Sequence, residues 1–292
     1  MTPPSRVADE DWDRKDCGMS PILLVVHPER PAAWELARTA TRWWQHQGRD
    51  VVEIRGNGPE ASFAESDDVE FAVSLGGDGT MLRTVELVLA SRVPVLGVNL
   101  GRMGYLTAVE PAGIEQAFER MLAGDYLVEE RMALEVELTG SVEGRFMALN
   151  DAIVEKTGPG HTIRVAVEIA GRPFLTYVAD GILVSTPTGS TAYNLSARGP
   201  VVSPRLRAMV LTPVSPHMPF DRSLVLEPGE SVRLTVVDDR AAAAGIDGAR
   251  IIRLAMGDSV LCRAAAEPAR LISFGERDFH SALRHRFGLT DR

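Results

Sequence analysis

Near residue 125 the hydrophobic period of this 292-residue chain changes, and neither one parallel sheet nor one helical bundle accommodates both halves. Before that point, Ile22-Leu23-Leu24-Val25-Val26 is a continuous apolar run of the kind buried on both faces of a parallel sheet. Ala33, Leu36, Ala37, Ala40 and Trp44 then recur at helical spacing before Gly48. Val51–Ile54, Phe71–Leu75 and Val93–Val98 read as further strands, and Ile114, Ala117, Phe118, Met121 and Leu122 as a helix face ended by Gly124. Strands interleaved with helices predict an open, Rossmann-like α/β domain, whose ligands bind at the carboxyl ends of the strands.

After that point Leu134–Leu138, Arg164–Ile169 and Ser231–Val236 alternate apolar with polar or small residues, as half-exposed antiparallel strands do. Ala170-Gly171-Arg172-Pro173 and Glu227-Pro228-Gly229-Glu230 supply turns, and Ala241–Ala244 beside Gly245 reads as a mobile loop. The expectation is a β-sandwich-like domain over residues 126–274. Phe279, Leu283 and Phe287 at i, i+4, i+8, stopped by Gly288, predict a final helix that returns to the first domain. The first domain is thus 21–125 completed by 275–292, preceded by a flexible tail over 1–20.

A formal net charge of −9 offers no broad attraction for nucleic acid or an anionic membrane. The only lysines are Lys15 and Lys156, and no Gly-x-x-x-x-Gly-Lys-Ser/Thr segment exists, so a phosphate would have to be neutralised by backbone N–H groups, arginine or a bound cation. Cys17 and Cys262 lie far apart with no CxxC spacing, which predicts a reducing compartment and no zinc site. The first twenty residues are charged and lack the apolar core of a signal peptide, and no run reaches membrane-spanning length, so the expected location is the cytoplasm.

Two stretches carry chemistry. Gly76-Gly77-Asp78-Gly79-Thr80 joins the strand Phe71–Leu75 to the helical pattern Met81, Leu82, Val85, Leu89, a layout that turns backbone N–H groups toward a phosphate. A carboxylate there repels an anion, so Asp78 needs a reason of its own: accepting a proton from an alcohol, or holding a divalent metal. The second stretch runs from Asp180 to Ser196. A strand ends there in five hydroxyl residues between Ser185 and Thr191, with Tyr193 just beyond, which suggests helix capping together with a grip on a nucleotide.

Other motifs are weak. Gly56-Asn57-Gly58-Pro59-Glu60-Ala61 matches a dinucleotide fingerprint by letter, but Pro59 removes an N–H and it reads as a loop. His280 and His285, at i, i+5, do not share a helix face suited to a metal, and Trp43-Trp44 read as helix packing with one ring partly exposed.

Gly76–Thr80, Asn99-Leu100-Gly101-Arg102-Met103-Gly104-Tyr105-Leu106-Thr107, Asn150-Asp151 and Asp180–Ser196 together resemble the NAD kinase family, from about residue 22 to the final helix. The resemblance implies phosphoryl transfer to the 2′-hydroxyl of the adenosine ribose of NAD, giving NADP. It implies ATP as donor with Mg²⁺ or Mn²⁺, and some relatives also accept polyphosphate; the sequence does not choose between the donors. By similarity Asp78 is the proton acceptor, and Gly76, Gly77, Gly79 and Thr80 line the phosphates. Asp78, Gly79, Arg83, Asn150, Asp151, His161, Asp180, Thr191, Ala192, Tyr193, Asn194, Leu195, Ser196 and Ser215 match substrate-binding positions. Asp180 matches one that often serves a neighbouring subunit's site. No protein metal ligand is assigned. The family also implies a homodimer or homotetramer, with the dinucleotide in a crevice between the domains. Many relatives carry glutamine after Asp247-Gly248 where this chain has Ala249, which leaves the choice between NAD and NADH open. A kinase for another alcohol, such as a lipid or a sugar phosphate, would share the first motif but has little use for Thr186–Ser196.

Overall fold

All five residues of β1 (Ile22–Val26) are buried, because the strand has a neighbour on each edge and covered faces. The computed structural model describes residues 20–55, 69–101, 104–275 and 279–288. In chain order β1 is followed by α1 (Pro31–His46), β2 (Val51–Arg55), β3 (Phe71–Gly76), α2 (Asp78–Val88), β4 (Val95–Asn99), α3 (Ile114–Leu122) and β5 (Leu127–Arg131). Next come β6 (Leu134–Thr139), β7 (Gly144–Ala148), β8 (Asp151–Lys156), β9 (Ile163–Ile169), β10 (Arg172–Ala179), β11 (Gly181–Ser185) and α4 (Tyr193–Ser196). The chain continues through β12 (Met209–Val214), β13 (Leu224–Leu226), β14 (Val232–Val236), β15 (Ala242–Ile246), β16 (Arg250–Leu254), β17 (Ser259–Ala264), β18 (Ala269–Ser273) and α5 (Phe279–Phe287). The predicted tail apart from Ser20, the Gly56–Ala61 segment and Arg102-Met103 lie outside the described residues.

The chain divides into two compact units, one running to Glu130 and resuming at Ala269, the other Arg131–Pro268. The first contains a sheet of order β2-β1-β3-β4-β18-β5, with β1–β2, β1–β3, β3–β4 and β4–β18 parallel. Strand β1 has β2 on one side and β3 on the other, the reversal of strand order that leaves a crevice at the carboxyl ends. Ala33, Ala37, Ala40 and Trp44 of α1 and Ile114, Ala117, Phe118 and Met121 of α3 pack on the face presented by Ile22, Leu24, Val73, Leu75, Leu96 and Val98. Small residues let α1 approach the strands closely, and the Trp44 ring fills the space left at its end, with its centroid 4.9 Å from those of Trp43 and Phe118. The other face receives Met81 of α2, whose Sδ lies 3.1 Å from where a side chain on Gly97 would begin.

The second unit is a sandwich of two antiparallel sheets, β10-β9-β14-β17-β6-β7 and β13-β12-β11-β8-β15-β16. Alternation produces it: Leu134, Val136 and Leu138 face inward from β6 while Glu135, Glu137 and Thr139 are partly exposed. Ala170 and Gly171, at φ 51° and 73°, form the two-residue hairpin between β9 and β10, and both must take left-handed backbone for the strands to keep their twist. The open α/β unit and the β-rich unit match the architecture read from sequence.

Two expectations change. Residues 126–274 do not stay together, because β5 and β18 join the first sheet; the returning element includes a strand beside β4, and not only the helix α5. The alanine run is no loop. Ala242–Ile246 is strand β15, buried at every position between β8 and β16. Ala242, Ala244 and Ile246 face the sandwich core, and a side chain on Gly245 would come within 2.9 Å of Ile153 Cγ2. Small side chains here reflect tight packing, which composition alone cannot tell from looseness.

Candidate active site

The glycine turn sits where β3 ends and α2 begins, at the reversal of strand order. Gly76 still belongs to the sheet, its carbonyl accepting the Leu100 N–H at 2.8 Å, and a side chain on it would overlap the Thr80 hydroxyl. Gly77 is the N-cap of α2, and no side chain among the described residues caps this helix start. The leading amides of a helix have no intrahelical acceptor, so those of Asp78, Gly79 and Thr80 face outward as donors. Positions for a side chain on Gly77 or Gly79 meet open space, in contrast to Gly76. The first glycine is therefore demanded by the protein's own packing, while the next two leave room beside the amides for something else to approach.

The Asp78 side chain folds onto the segment after β4: Oδ2 accepts the Tyr105 N–H at 3.2 Å and Oδ1 the Leu106 N–H at 3.4 Å. Gly104 makes this possible, since a side chain there would overlap the carboxylate. Arg83, one turn further along α2, pairs with Glu86 at 2.7 Å. Sequence reading passed over Arg30. It follows β1, donates from Nη1 to the Leu100 carbonyl at 2.9 Å, and pairs with no carboxylate among the described residues. This exposed cation lies at the carboxyl end of the sheet beside Leu100, whose N–H bonds the Gly76 carbonyl, a juxtaposition that strand order produces and sequence spacing does not reveal.

In the second unit the Asn150-Asp151 turn is held from several sides. The Asn150 carbonyl accepts the Thr186 N–H at 2.8 Å and the Ser185 hydroxyl at 3.3 Å, and a side chain on Gly189 would overlap that carbonyl. Thr186 Oγ1 donates to the Leu149 carbonyl at 2.6 Å and accepts the Gly189 N–H at 3.0 Å. Asp247 accepts three amides: Leu149 at 2.8 Å, Asn150 at 2.8 Å and Asp151 at 3.0 Å. The Asn150 side-chain amide has no hydrogen-bond partner among the described residues and remains available to a ligand. Burial first, then the charges of Asp247 and Glu155, raise the Asp151 carboxyl from 3.8 to about 7.

Ser185, Thr186, Ser190 and Thr191 are buried and bonded to the chain itself, with Ser190 Oγ donating toward the carbonyls of Pro187 at 2.6 Å and Val202 at 3.1 Å. Thr188 is the exception, its buried hydroxyl having no partner among the described residues. Asn194 is also internal: it donates to the Pro200 carbonyl at 2.9 Å and accepts the Thr212 hydroxyl at 2.7 Å. These groups fasten the segment to the sheet. Ala192, Leu195 and Ser196 remain at least partly exposed, as does Tyr193, whose hydroxyl lies 3.4 Å from Glu155 Oε2.

The β8–β11 register places Ser185 opposite Asp151 and Gly181 opposite Glu155, so Asp180 and Asp151 sit at opposite ends of this ladder. Asp180 pairs with Lys156 at 2.7 Å and, through its N–H, with the Val214 carbonyl. Exposed Ser215, at φ 46°, follows Val214 at that end. His161 lies against Gly158, its Nε2 buried without a partner among the described residues. Ala249 is exposed on the β15–β16 turn, its N–H bonded to the Ile246 carbonyl at 3.1 Å. Among the described residues no group of three or more His, Cys, Asp or Glu side chains could hold a metal, and no helix is long and apolar enough to cross a membrane.

Comparison with known proteins supplies a family context for this geometry. Residues 58–126 match the ATP-NAD kinase N-terminal domain and residues 149–274 the ATP-NAD kinase C-terminal domain. A NAD kinase of Heliobacterium modesticaldum is 41% identical over 279 residues, covering 92% of this chain and 98% of the relative. One from Wolinella succinogenes is 35% identical over 284 residues, covering 94% and 97%. Among solved structures, a NAD kinase from Archaeoglobus fulgidus in complex with ATP superposes with a TM-score of 0.71 at 25% identity, covering 91% of this chain and 97% of that one. A yeast NADH kinase complexed with NADH shares the fold with a TM-score of 0.81 at 21% identity, covering 94% and 89%.

Proposed function

The chain belongs to the NAD kinase family, and from that premise we propose how its residues divide the transfer of a phosphoryl group from ATP to the 2′-hydroxyl of the adenosine ribose of NAD. The carrying observation is the Asp78 carboxylate, held by two amides beside the uncapped start of α2 and the open-faced Gly77 and Gly79.

In this reading the amides of Asp78, Gly79 and Thr80 receive the phosphates, with the guanidinium of Arg30 as nearby compensating charge. The ribose 2′-oxygen attacks the terminal phosphorus, the bond from that phosphorus to the ADP oxygen breaks, and the hydroxyl proton passes to Asp78. Phosphoryl transfer asks a protein chiefly for position and charge, and the fixed carboxylate supplies the first. A divalent cation, Mg²⁺ or Mn²⁺, would neutralise phosphate charge. Mg²⁺ commonly relies on substrate phosphates, water and at most one or two carboxylates, which suits a chain without a protein metal cluster among its described residues. No step here depends on a protein ligand to it.

Asn150, with its unengaged amide, and Asp151 are assigned to the dinucleotide, together with Tyr193 and the surface of residues 191–196; the buried side chain of Asn194 is given a supporting part. A homodimer or homotetramer and a cytoplasmic setting belong to the same reading, resting on family resemblance and composition; a chain that stays monomeric and fully active at nanomolar concentration would exclude the oligomer. The deciding experiment incubates purified protein with NAD, ATP and Mg²⁺ and measures NADP by a coupled dehydrogenase, with polyphosphate and NADH as parallel arms. Asp78→Asn keeps NAD binding and loses most turnover. Full turnover in that variant would reject the assignment.

A further inference from the structure

The Asp247 carboxylate accepts all three successive amides of Leu149, Asn150 and Asp151, and its own N–H donates back to the Asp151 carbonyl at 3.0 Å. A reciprocal clasp of this kind fixes both the path and the orientation of a turn. Asp247 takes φ 49° to make it, a left-handed conformation rarely adopted by residues other than glycine and, to a lesser degree, asparagine and aspartate. Gly248 follows at φ 67°, and Ala249 closes the β15–β16 turn by bonding the Ile246 carbonyl. The carboxylate reaches a segment almost a hundred residues earlier in the chain.

We propose that Asp247 is the positioning residue of the dinucleotide site: by binding these three amides it sets the direction in which the Asn150 and Asp151 side chains leave the turn. This rests on the assignment of Asn150 and Asp151 to the dinucleotide. The other supports of the turn, the Thr186 amide, the Ser185 hydroxyl and close-packed Gly189, act on the Asn150 carbonyl, and Thr186 Oγ1 acts on that of Leu149. Those contacts fix the acceptors of the segment, and Asp247 fixes its donors. A carboxylate suits the task because it only accepts, whereas an amide side chain would aim an N–H at one of the three donors. Oδ1 serves Asn150 and Asp151 while Oδ2 serves Leu149, so Asp247→Asn can retain two of the three bonds in one rotamer.

The test compares Asp247→Gly, Asp247→Asn, Asn150→Ala and Asp151→Asn with the unmodified chain, by calorimetric NAD binding without ATP and by steady-state kinetics. Asp247→Gly removes the carboxylate while relieving the left-handed backbone, so a loss in this variant is not a loss of turn conformability. The expected result is a 10- to 100-fold rise in Kd and KM for NAD in Asp247→Gly, a smaller rise in Asp247→Asn, an unchanged KM for ATP, and kcat at saturating NAD within a few-fold. A general loss of folding would lower the apparent kcat with no selective rise in the KM for NAD, and would overturn the positioning role. If Asn150→Ala and Asp151→Asn weaken NAD binding but both Asp247 variants bind normally, the positioning role fails and the dinucleotide assignment stands. Should none of the four affect NAD binding, the assignment of the turn itself fails.

Discussion

Gly104→Ala probes the proposed proton acceptor without touching it. The added methyl would overlap the Asp78 carboxylate and come within 2.5 Å of Oδ2, whereas ordinary contact begins near 3.4 Å. The carboxylate must therefore retreat by about 1 to 1.5 Å or rotate, and either motion lengthens bonds to Tyr105 and Leu106 that already stand at 3.2 and 3.4 Å. A misplacement of about 1 Å costs on the order of 10²-fold in rate, and complete loss of a general base roughly 10²- to 10⁴-fold. The expected kcat is thus at least about 100-fold lower, equivalent to roughly 2.7 kcal/mol of barrier. The Asn150 turn keeps its own supports in the second unit, so NAD binding measured by calorimetry should stay within a few-fold. The assay is NADP formation at saturating NAD and ATP, beside a thermal melt to show that the fold survives. A folded Gly104→Ala protein with kcat within three-fold of the unmodified chain would refute the idea that this carboxylate must sit where Tyr105 and Leu106 hold it.

Gly79→Ala should leave the melting temperature unchanged or slightly higher, because the site is open and alanine favours a helix by up to about 1 kcal/mol over glycine. Its KM for ATP should nevertheless rise several-fold as the methyl fills the space beside the amides, and an unaltered KM would argue against phosphate docking there. Arg30→Ala should raise the KM for ATP roughly ten-fold with little effect on NAD binding; equal effects on both substrates would contradict a phosphate-side role. The Asp151 carboxyl, at about 7 when folded against 3.8 in an open chain, holds a proton that unfolding releases. Stability from this group is therefore complete below about pH 4, declines as pH rises from about 4 to about 7, and levels off above that, a loss of up to roughly 4 kcal/mol. Asp151→Asn should flatten that decline in denaturant titrations from pH 4 to 8, and parallel curves for the two proteins would exclude it.

The strands of both units were legible because their apolar periods differ, continuous in Ile22–Val26 and alternating in Leu134–Leu138. What escaped the sequence had a common cause. The strand Ala269–Ser273 resembles any other short apolar run, and only its pairing beside β4 assigns it to the first sheet. Ala242–Ile246 lacks the β-branched residues that mark a strand, because close packing at Ala244 and Gly245 requires small ones. Asp78 was visible through its glycines, but its dependence on Gly104 was not, since that contact crosses from α2 to the segment after β4. Asp247 drew notice only for the alanine two residues later, and nothing local to it indicates three amides near residue 150.

The buried hydroxyls bear on how a motif should be read. Ser185, Thr186, Ser190 and Thr191 look like ligand donors in a list of residue types, yet each gives its hydrogen to a carbonyl of the chain. A polar segment buried over a sheet must satisfy its own backbone groups, and unsatisfied ones cost about 1–3 kcal/mol each. Short hydroxyl side chains do this without adding bulk, which Gly189 and Gly199 could not accommodate against Asn150 and Asn194. The density of serine and threonine is then the means of holding an irregular segment in place, and the proposed ligand contacts fall to its exposed atoms and to the neighbouring turn. Replacing Ser190 with alanine therefore tests a structural role: it removes the donor to Pro187 and the acceptor of the Val202 N–H, and should lower thermal stability along with NAD affinity. Were Ser190 a direct ligand contact instead, affinity would fall while the melting temperature held.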